Sequence, residues 1–304
     1  MRFSKLQVCF IIPPVRLTPQ RAVPTVRLMS SKSEPPKFDK EMSELYHRLA
    51  DNHYHTNGPW NLMINAIKES KASTLPAFSV LDLASGHGEP SMSIAKTFLH
   101  ADVVCTDFSE DMVALAEKAS ADIPNMNVQI ADMQNLQFEA DKFDIITCSY
   151  GFMFPPDKDR ALKEAYRCLK PGGTLISTTW DELQLLHLVG AIMTQILGQR
   201  PPPPPLNPMS LSEPLLFENM LKENGFVDVQ TRQSTYPFFL GDDEEERFKM
   251  TTMLVKGKLD ELDAWDQARE VYDDLFKSFV TVDGSAKFVL EDNTFKLTVC
   301  RKAE

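Results

Sequence analysis

Residues 80–90 read VLDLASGHGEP, an order of residue types that suits the holding of a nucleoside-like ligand. Val80-Leu81-Asp82-Leu83 is a short apolar run of the kind that forms a buried strand, with one carboxylate inside it. Ala84-Ser85-Gly86-His87-Gly88 follows, small enough for a sharp turn and a close backbone approach, and Pro90 stands where a helix begins. A strand, a glycine turn and a helix N-terminus together make a site for a nucleotide-like group, although an ordinary tight turn also accounts for a glycine pair. Asp107 lies 19 residues beyond Gly88 and closes a second apolar run, residues 101–106. A carboxylate there can accept hydrogen bonds from both hydroxyls of a ribose; it also reads as a turn residue before a helix capped by Ser109. A dinucleotide fingerprint needs a third glycine at position 91, where this chain has Ser91, and the carboxylate of Glu89 sits badly against a pyrophosphate. NAD and FAD are therefore disfavoured, and a cofactor with ribose hydroxyls, a charged amino-acid tail and no phosphate fits better.

The order VLDLASGHG, TDFSEDM, IADMQNL, DKFDIITCSYGF and DRALKEAYRCLKPGGTL resembles the class I S-adenosylmethionine-dependent methyltransferases, and within them the type-11 group that includes the ubiquinone/menaquinone C-methyltransferases. The resemblance covers residues 75–180 and identifies a fold and a cofactor, S-adenosyl-L-methionine, without identifying a methyl acceptor. It implies that Asp82 orients the glycine loop near the methionine amino group, with Ala84, Gly86, His87 and Gly88 passing under methionine and ribose. It implies that Asp107 holds the ribose hydroxyls, that Phe108, Asp132 and Met133 border the adenine, and that Ser149 faces the donor methyl beside Tyr150. Ala84 replaces a glycine common in relatives, a change expected to cost little, and His87 reads as a loop contact rather than a proton carrier.

Two segments are expected to wall the acceptor. One is the region 38–68, holding Tyr46, His47, His53, Tyr54, His55 and Trp60; the resemblance makes it a lid over the cofactor. The other lies between the fifth and sixth strands: an apolar helix, Leu183–Leu197, and a stiff proline run, Pro201–Pro205. Tyr54, Trp60 and Tyr150 are candidate substrate contacts, and Tyr54, His55 and His187 are weak candidates for a base. A base is needed only if the acceptor atom carries a proton, since the sulfonium methyl is already activated. His53 and His55 form an H-x-H, but no further ligands stand at metal-site spacing, so no metal is expected.

Alternating apolar runs and helical patterns between residues 79 and 179 predict a parallel α/β sheet. The resemblance implies that it is Rossmann-like, mostly parallel and seven-stranded, with helices on both faces, a helical N-terminal lid and an insertion between strands five and six. A helix over 158–169, entered at Asp157, is expected to stop at Lys170-Pro171-Gly172-Gly173. A helix near 215–223 then precedes a strand at 227, and Phe295–Cys300 forms the last strand. The domain expectation is a targeting or disordered segment over 1–33 and a methyltransferase domain over 34–304, with the cofactor-binding core at 70–180.

Residues 1–33 hold six basic residues and no acid, which reads as an organelle transit peptide. A mitochondrion is the expected destination; prolines 13, 14, 19 and 24 weaken an amphipathic presequence, and plastid, secretory or cytoplasmic alternatives stay open. The net charge of −11 leaves −17 on the remainder, which repels phosphate backbones, so nucleic acid is not an expected partner. The acidic run Asp242–Glu246 reads as a solvated face. No run approaches the ~18–20 apolar residues of a membrane span. Five scattered cysteines, Cys9, Cys105, Cys148, Cys168 and Cys300, show no disulfide framework. The preferred reading is methyl transfer to a small metabolite through O, N or S, with a thioether suited to the lack of an obvious base. A quinone-ring C-methyltransferase and a non-catalytic scaffold subunit are the alternatives.

Overall fold

Five parallel strands carry the predicted motifs to one edge of a sheet. The computed structural model describes residues 47–202, 206–282 and 288–304. The N-terminal basic segment, Tyr46 and most of the proline run lie outside the described residues. The strands are β1 (Phe78–Leu83), β2 (Ala101–Asp107), β3 (Met126–Ile130), β4 (Phe143–Ser149) and β5 (Leu169–Glu182). Two long strands, β6 (Phe226–Phe239) and β8 (Phe288–Lys302), and a two-residue β7 (Thr281–Val282) complete the sheet. The strand order is β3-β2-β1-β4-β5-β8-β6, with β8 antiparallel to both neighbours and β7 paired to β8. The chain order reverses between β1 and β4. Right-handed crossovers on either side of that reversal put helices on both faces and open a crevice outside the carboxyl ends of β1 and β4.

The central strands are mostly apolar, as burial on both faces demands: Val80, Leu81, Val103, Ile145 and Ile146 are fully or almost fully buried, and the buried polar side chains Asp82, Thr106 and Thr147 stand near the strand ends. The connecting helices are α1 (Pro59–Glu69), α2 (Ser91–Thr97), α3 (Glu110–Ala119), α4 (Lys158–Cys168), α5 (Gln184–Leu197) and α6 (Leu216–Glu223). Ser109 caps α3 by accepting from the Met112 amide, and Asp157 caps α4 by accepting from the Arg160 amide. Both expected helix starts are therefore present.

Two expectations gain detail. Of the expected 38–68 lid region, the described part, 47–68, divides in two. α1 buries Trp60, Met63, Ile64 and Ile67 and packs on β4, β5 and β8, so it is part of the domain core; only 47–58 lies at the strand ends. The acidic run 242–246 is largely exposed, as expected, and it also starts a second helical insertion. Asp243 caps α7 (Glu244–Thr252) by accepting from the Glu246 amide, and the following acids occupy its first turn, where the helix dipole favours them. α8 (Lys256–Leu262) and α9 (Trp265–Phe279) follow before β7. β6 runs parallel to β5, so this insertion stands at the same carboxyl edge as the glycine turn.

Candidate cofactor and acceptor site

At the end of β1, the fully buried Asp82 carboxylate accepts from the Ser91 hydroxyl and the Thr147 hydroxyl, both at 2.6 Å. Burial pushes its pKa up to about 6, against the downward pull of those hydroxyls. Its own carbonyl accepts from Thr106 and Ser85, which ties the β1 turn to β2. Gly86 and Gly88 both adopt positive φ, +56° and +110°, which glycine tolerates. A Cβ at Gly86 would meet nothing within 4 Å, so open space lies against the turn; at Gly88 it would press on Ala116 of α3 at 3.3 Å. Ala84 also has a left-handed φ of +54°, and an alanine there costs on the order of 1–2 kcal/mol, more than expected from the sequence.

Asp107 does two jobs. One carboxylate oxygen accepts from the Gly86 amide and the other from the Ser109 amide, both at 2.9 Å. The turn role and the glycine-loop role thus coexist, and burial raises its pKa while these amides oppose the rise. Beside it, Phe108 is 72% exposed, and Ile130, which pairs with Asp107 across β2 and β3, is 55% exposed. Two large apolar side chains standing open at adjacent strand ends suit the two faces of a flat base. Asp132 accepts from the Gln134 amide at 2.8 Å, and with Met133 it is half-buried after β3. Open space over Gly86, a ribose-height carboxylate and this apolar pair fit the adenosine and methionine parts of S-adenosylmethionine.

On the other side of the crevice, the Ser149 hydroxyl lies 3.4 Å from that of Thr178. Tyr150 follows with φ +57°, an uncommon conformation for a bulky residue and the kind of strain that collects at functional sites. Its ring stacks on Trp180 with centroids 4.0 Å apart and planes within 6°. Its hydroxyl lies 3.1 Å from that of Tyr236, which in turn lies 2.8 Å from His53 Nδ1. His53 is surrounded by Trp60, Tyr150, Trp180, Tyr236 and Phe238 at centroid distances of 5.1 to 6.1 Å. Burial, assisted by His87, lowers its pKa to about 3, so its ring is neutral. His87 is buried too and packs against the His47 ring at 4.3 Å; burial and His47 lower it to about 4, as suits a loop contact.

Two of the weak base candidates border this cluster: the His55 ring stacks near Tyr236 with centroids 6.3 Å apart, and Tyr54 meets Trp60 edge-on at 4.5 Å. His55 is exposed and its Nδ1 accepts from the Asn57 amide at 3.2 Å. His187 is exposed on α5 and lies 3.6 Å from Glu182. Tyr54, 47% exposed, donates to the buried Glu89 at 2.5 Å, an interaction that, after burial, raises its pKa. Trp60 joins the cluster from below. Trp180, Tyr236 and Phe238 were not singled out in sequence; the period-2 pattern of Tyr236 and Phe238 is the one signal that could have flagged them. Among the described residues, no group of three or more His, Cys, Asp or Glu is gathered for a metal, and no helix is long and apolar enough to cross a membrane. Cys105, Cys148, Cys168 and Cys300 are buried free thiols.

Residues 80–173 match the family described as a methyltransferase domain. The chain is 36% identical over 115 residues to the ubiquinone/menaquinone biosynthesis C-methyltransferase UbiE of Geotalea daltonii, covering 36% of this chain and 48% of that protein. It is 29% identical over 153 residues to UbiE of Rickettsia typhi, covering 47% and 62%. The match thus spans about half to three-fifths of these relatives' length. In fold, it is similar to YcgJ from Bacillus subtilis, with a TM-score of 0.55 at 20% identity over 83% of this chain and all of that one. It is also similar to Haemonchus contortus phosphoethanolamine N-methyltransferase 2 in complex with S-adenosyl-L-methionine, with a TM-score of 0.54 at 16% identity over 88% of this chain and 58% of that one. Residues 80–173 are therefore a class I S-adenosylmethionine-dependent methyltransferase domain, related to that of the ubiquinone/menaquinone C-methyltransferases.

Proposed function

We propose that the chain transfers a methyl group from S-adenosylmethionine to a small organic acceptor held against Tyr150 and Trp180. One observation carries this reading: the cofactor cradle opens beside a buried aromatic wall whose polar atoms form a chain, Tyr150 hydroxyl to Tyr236 hydroxyl to His53 Nδ1. The bound cofactor supplies a methyl already activated on a sulfonium. The residues then have to align the acceptor, keep water out and, for a protonated acceptor, take a proton. The rings exclude water, and Tyr150 presents a hydroxyl that can pass a proton through Tyr236 to the neutral His53. Burial makes a charged His53 costly, so it is a weak base that takes only a proton made strongly acidic by methyl transfer. The argument for a thioether acceptor rested on the lack of a base; with this chain in place, oxygen, nitrogen and quinol-carbon acceptors are served as well.

Quinone-ring C-methylation is the second reading, favoured by the names of the curated relatives and by an aromatic wall suited to a flat ring. The test is incubation of the full chain with methyl-labelled S-adenosylmethionine and a small-molecule extract, followed by identification of the labelled product. Label in a soluble metabolite supports the proposal, and label confined to prenylated quinones moves it to the second reading. Label found only in protein or RNA overturns both, and cofactor binding with no label transferred points to a scaffold. We further propose that residues 1–33 direct the chain to an organelle, a mitochondrion first; a reporter fused to them that stays in the cytosol excludes this.

A further inference from the structure

Three carboxylates stand around the glycine turn: Asp82 near the end of β1, Asp107 at the end of β2, and Glu89 directly after Gly88. Asp82 and Glu89 are 0% and 5% exposed, and both hold the first turn of α2. Asp82 accepts from the Ser91 hydroxyl at 2.6 Å, and one Glu89 oxygen accepts from the Ser93 amide at 3.1 Å. The other Glu89 oxygen accepts from the Tyr54 hydroxyl at 2.5 Å, which ties the 47–58 segment to the turn. With Thr147 on Asp82 and the Gly86 and Ser109 amides on Asp107, every one of these partners is an uncharged hydroxyl or amide. Among the described residues, no lysine or arginine pairs with any of the three carboxylates. The charges acting on the groups between them are negative too. Burial, then the Asp82 charge, raises the Cys105 thiol to about 12, and Glu89 adds to the burial that raises Asp82. His87, inside the turn, supplies no cation, because burial and His47 lower it to about 4.

A carboxylate taken out of water without a cation is costly, and carboxylates gathered at one turn repel each other as well. Open space lies beside them: a Cβ on Gly86, whose amide donates to Asp107, would meet nothing within 4 Å. A ligand of net positive charge in that space offsets the cost, and a neutral one does not. S-adenosylmethionine carries an ammonium, a carboxylate and a sulfonium, so its net charge is positive. S-adenosylhomocysteine, its demethylated product, keeps the zwitterionic tail and has lost the sulfonium charge. The tail is common to both and largely cancels at a distance, so the field of the turn tells them apart by the sulfonium alone. Coulomb attraction falls only with the first power of distance, so a carboxylate behind the cradle wall acts without touching the ligand. Glu89 isolates this effect, because an amide of the same shape removes its charge and leaves the β1 turn bonds of Asp82 and Asp107 intact.

We propose that Glu89 is a specificity-determining residue. Its charge, added to those of Asp82 and Asp107, makes the cradle hold cationic S-adenosylmethionine in preference to neutral S-adenosylhomocysteine, so that methyl transfer itself loosens the spent cofactor for exchange. The test is calorimetric titration of the full chain with both ligands and with sinefungin, in which an ammonium-bearing carbon replaces the methylsulfonium. About pH 7.5 keeps Asp82, raised to about 6, ionised. The native chain is expected to bind S-adenosylmethionine and sinefungin about fivefold or more tighter than S-adenosylhomocysteine. In Glu89→Gln the preference for both cations should shrink by about threefold or more, with S-adenosylhomocysteine affinity held within about twofold. Tyr54→Phe, which removes the hydrogen bond and keeps the charge, should retain the preference. Should Glu89→Gln fail to fold, Glu89→Met carries the comparison. Equal affinities of the native chain for the two cofactor forms, or an unchanged preference in Glu89→Gln, overturn the proposal. An equal loss for all three ligands makes Glu89 only a support of α2, and sinefungin that follows S-adenosylhomocysteine assigns the preference to the methyl group; either result also overturns it.

Discussion

Asp107 carries two loads, and its replacement separates them. Its carboxylate accepts from the Gly86 amide and the Ser109 amide, and we propose that it also holds the ribose hydroxyls of the cofactor. Asp107→Ala is expected to weaken S-adenosylmethionine binding by about 1.5–3 kcal/mol, the worth of two charge-assisted hydrogen bonds. Ser109→Ala removes only the α3 cap and should leave cofactor affinity within about twofold while lowering stability by about 1 kcal/mol. Equal losses of affinity in the two variants, measured by calorimetry, would reduce Asp107 to a turn residue. Tyr236 tests the other side of the crevice. Tyr236→Phe keeps the ring but cuts the hydroxyl chain between Tyr150 and His53. With a protonated acceptor, kcat should fall by about 10²-fold at nearly constant KM and cofactor affinity, since proton transfer by a positioned group contributes about that much. With a thioether acceptor kcat should hold, so the same variant reports on the acceptor atom.

The elements divide by how local their causes are. β1, its glycine turn and Asp107 were legible in sequence because each follows from neighbours within a few residues: an apolar run, small turn residues, a carboxylate at a strand end. Asp157 was legible as a helix entry for the same reason, and it accepts from the Arg160 amide at 2.9 Å. Asp157→Ala should therefore destabilise the chain by about 1 kcal/mol, read as a fall of about 2 °C in Tm, with cofactor affinity unchanged. No shift in Tm would mean that solvent replaces the cap without loss. The aromatic wall was not legible, because His53, Tyr150, Trp180 and Tyr236 come from four separate segments that only the sheet order brings together. His55, two residues from His53 in sequence, stacks near the outer side of Tyr236 yet stays exposed, while His53 is buried among the rings. α7–α9 was hidden for another reason. Its Arg247 sits inside a charged run, DDEEER, which reads as surface until α9 is packed against it.

At the scale of the molecule, four buried titratable groups at the carboxyl edge, His53, His87, Asp82 and Asp107, shape how stability responds to acid. His53 and His87 have folded pKa values lowered from 6.5 to about 3 and about 4, chiefly by burial. Below pH 6.5 the unfolded chain takes up a proton at each while the folded chain does not, so their contribution is present above that pH and drains away as pH falls toward the folded values. Asp82 acts in the opposite direction. Its folded pKa is raised from 3.8 to about 6, so the folded state binds that proton first and recovers some stability between pH 6 and 3.8. Asp107, also raised by burial, acts in the same direction as Asp82. The two histidines, whose unfolded pKa lies inside the window, outweigh both aspartates, and the Tm of the full chain should fall as pH drops from 7 to 5. His53→Gln removes the group with the larger displacement and should flatten that fall while lowering Tm at pH 7, where the neutral imidazole holds the Tyr236 hydroxyl. Thermal melts at half-unit pH steps decide the matter. A Tm that is constant or rises toward pH 5 in the native chain would mean that the histidine edge is open to solvent, and the neutral relay partner assigned to Tyr236 would go with it.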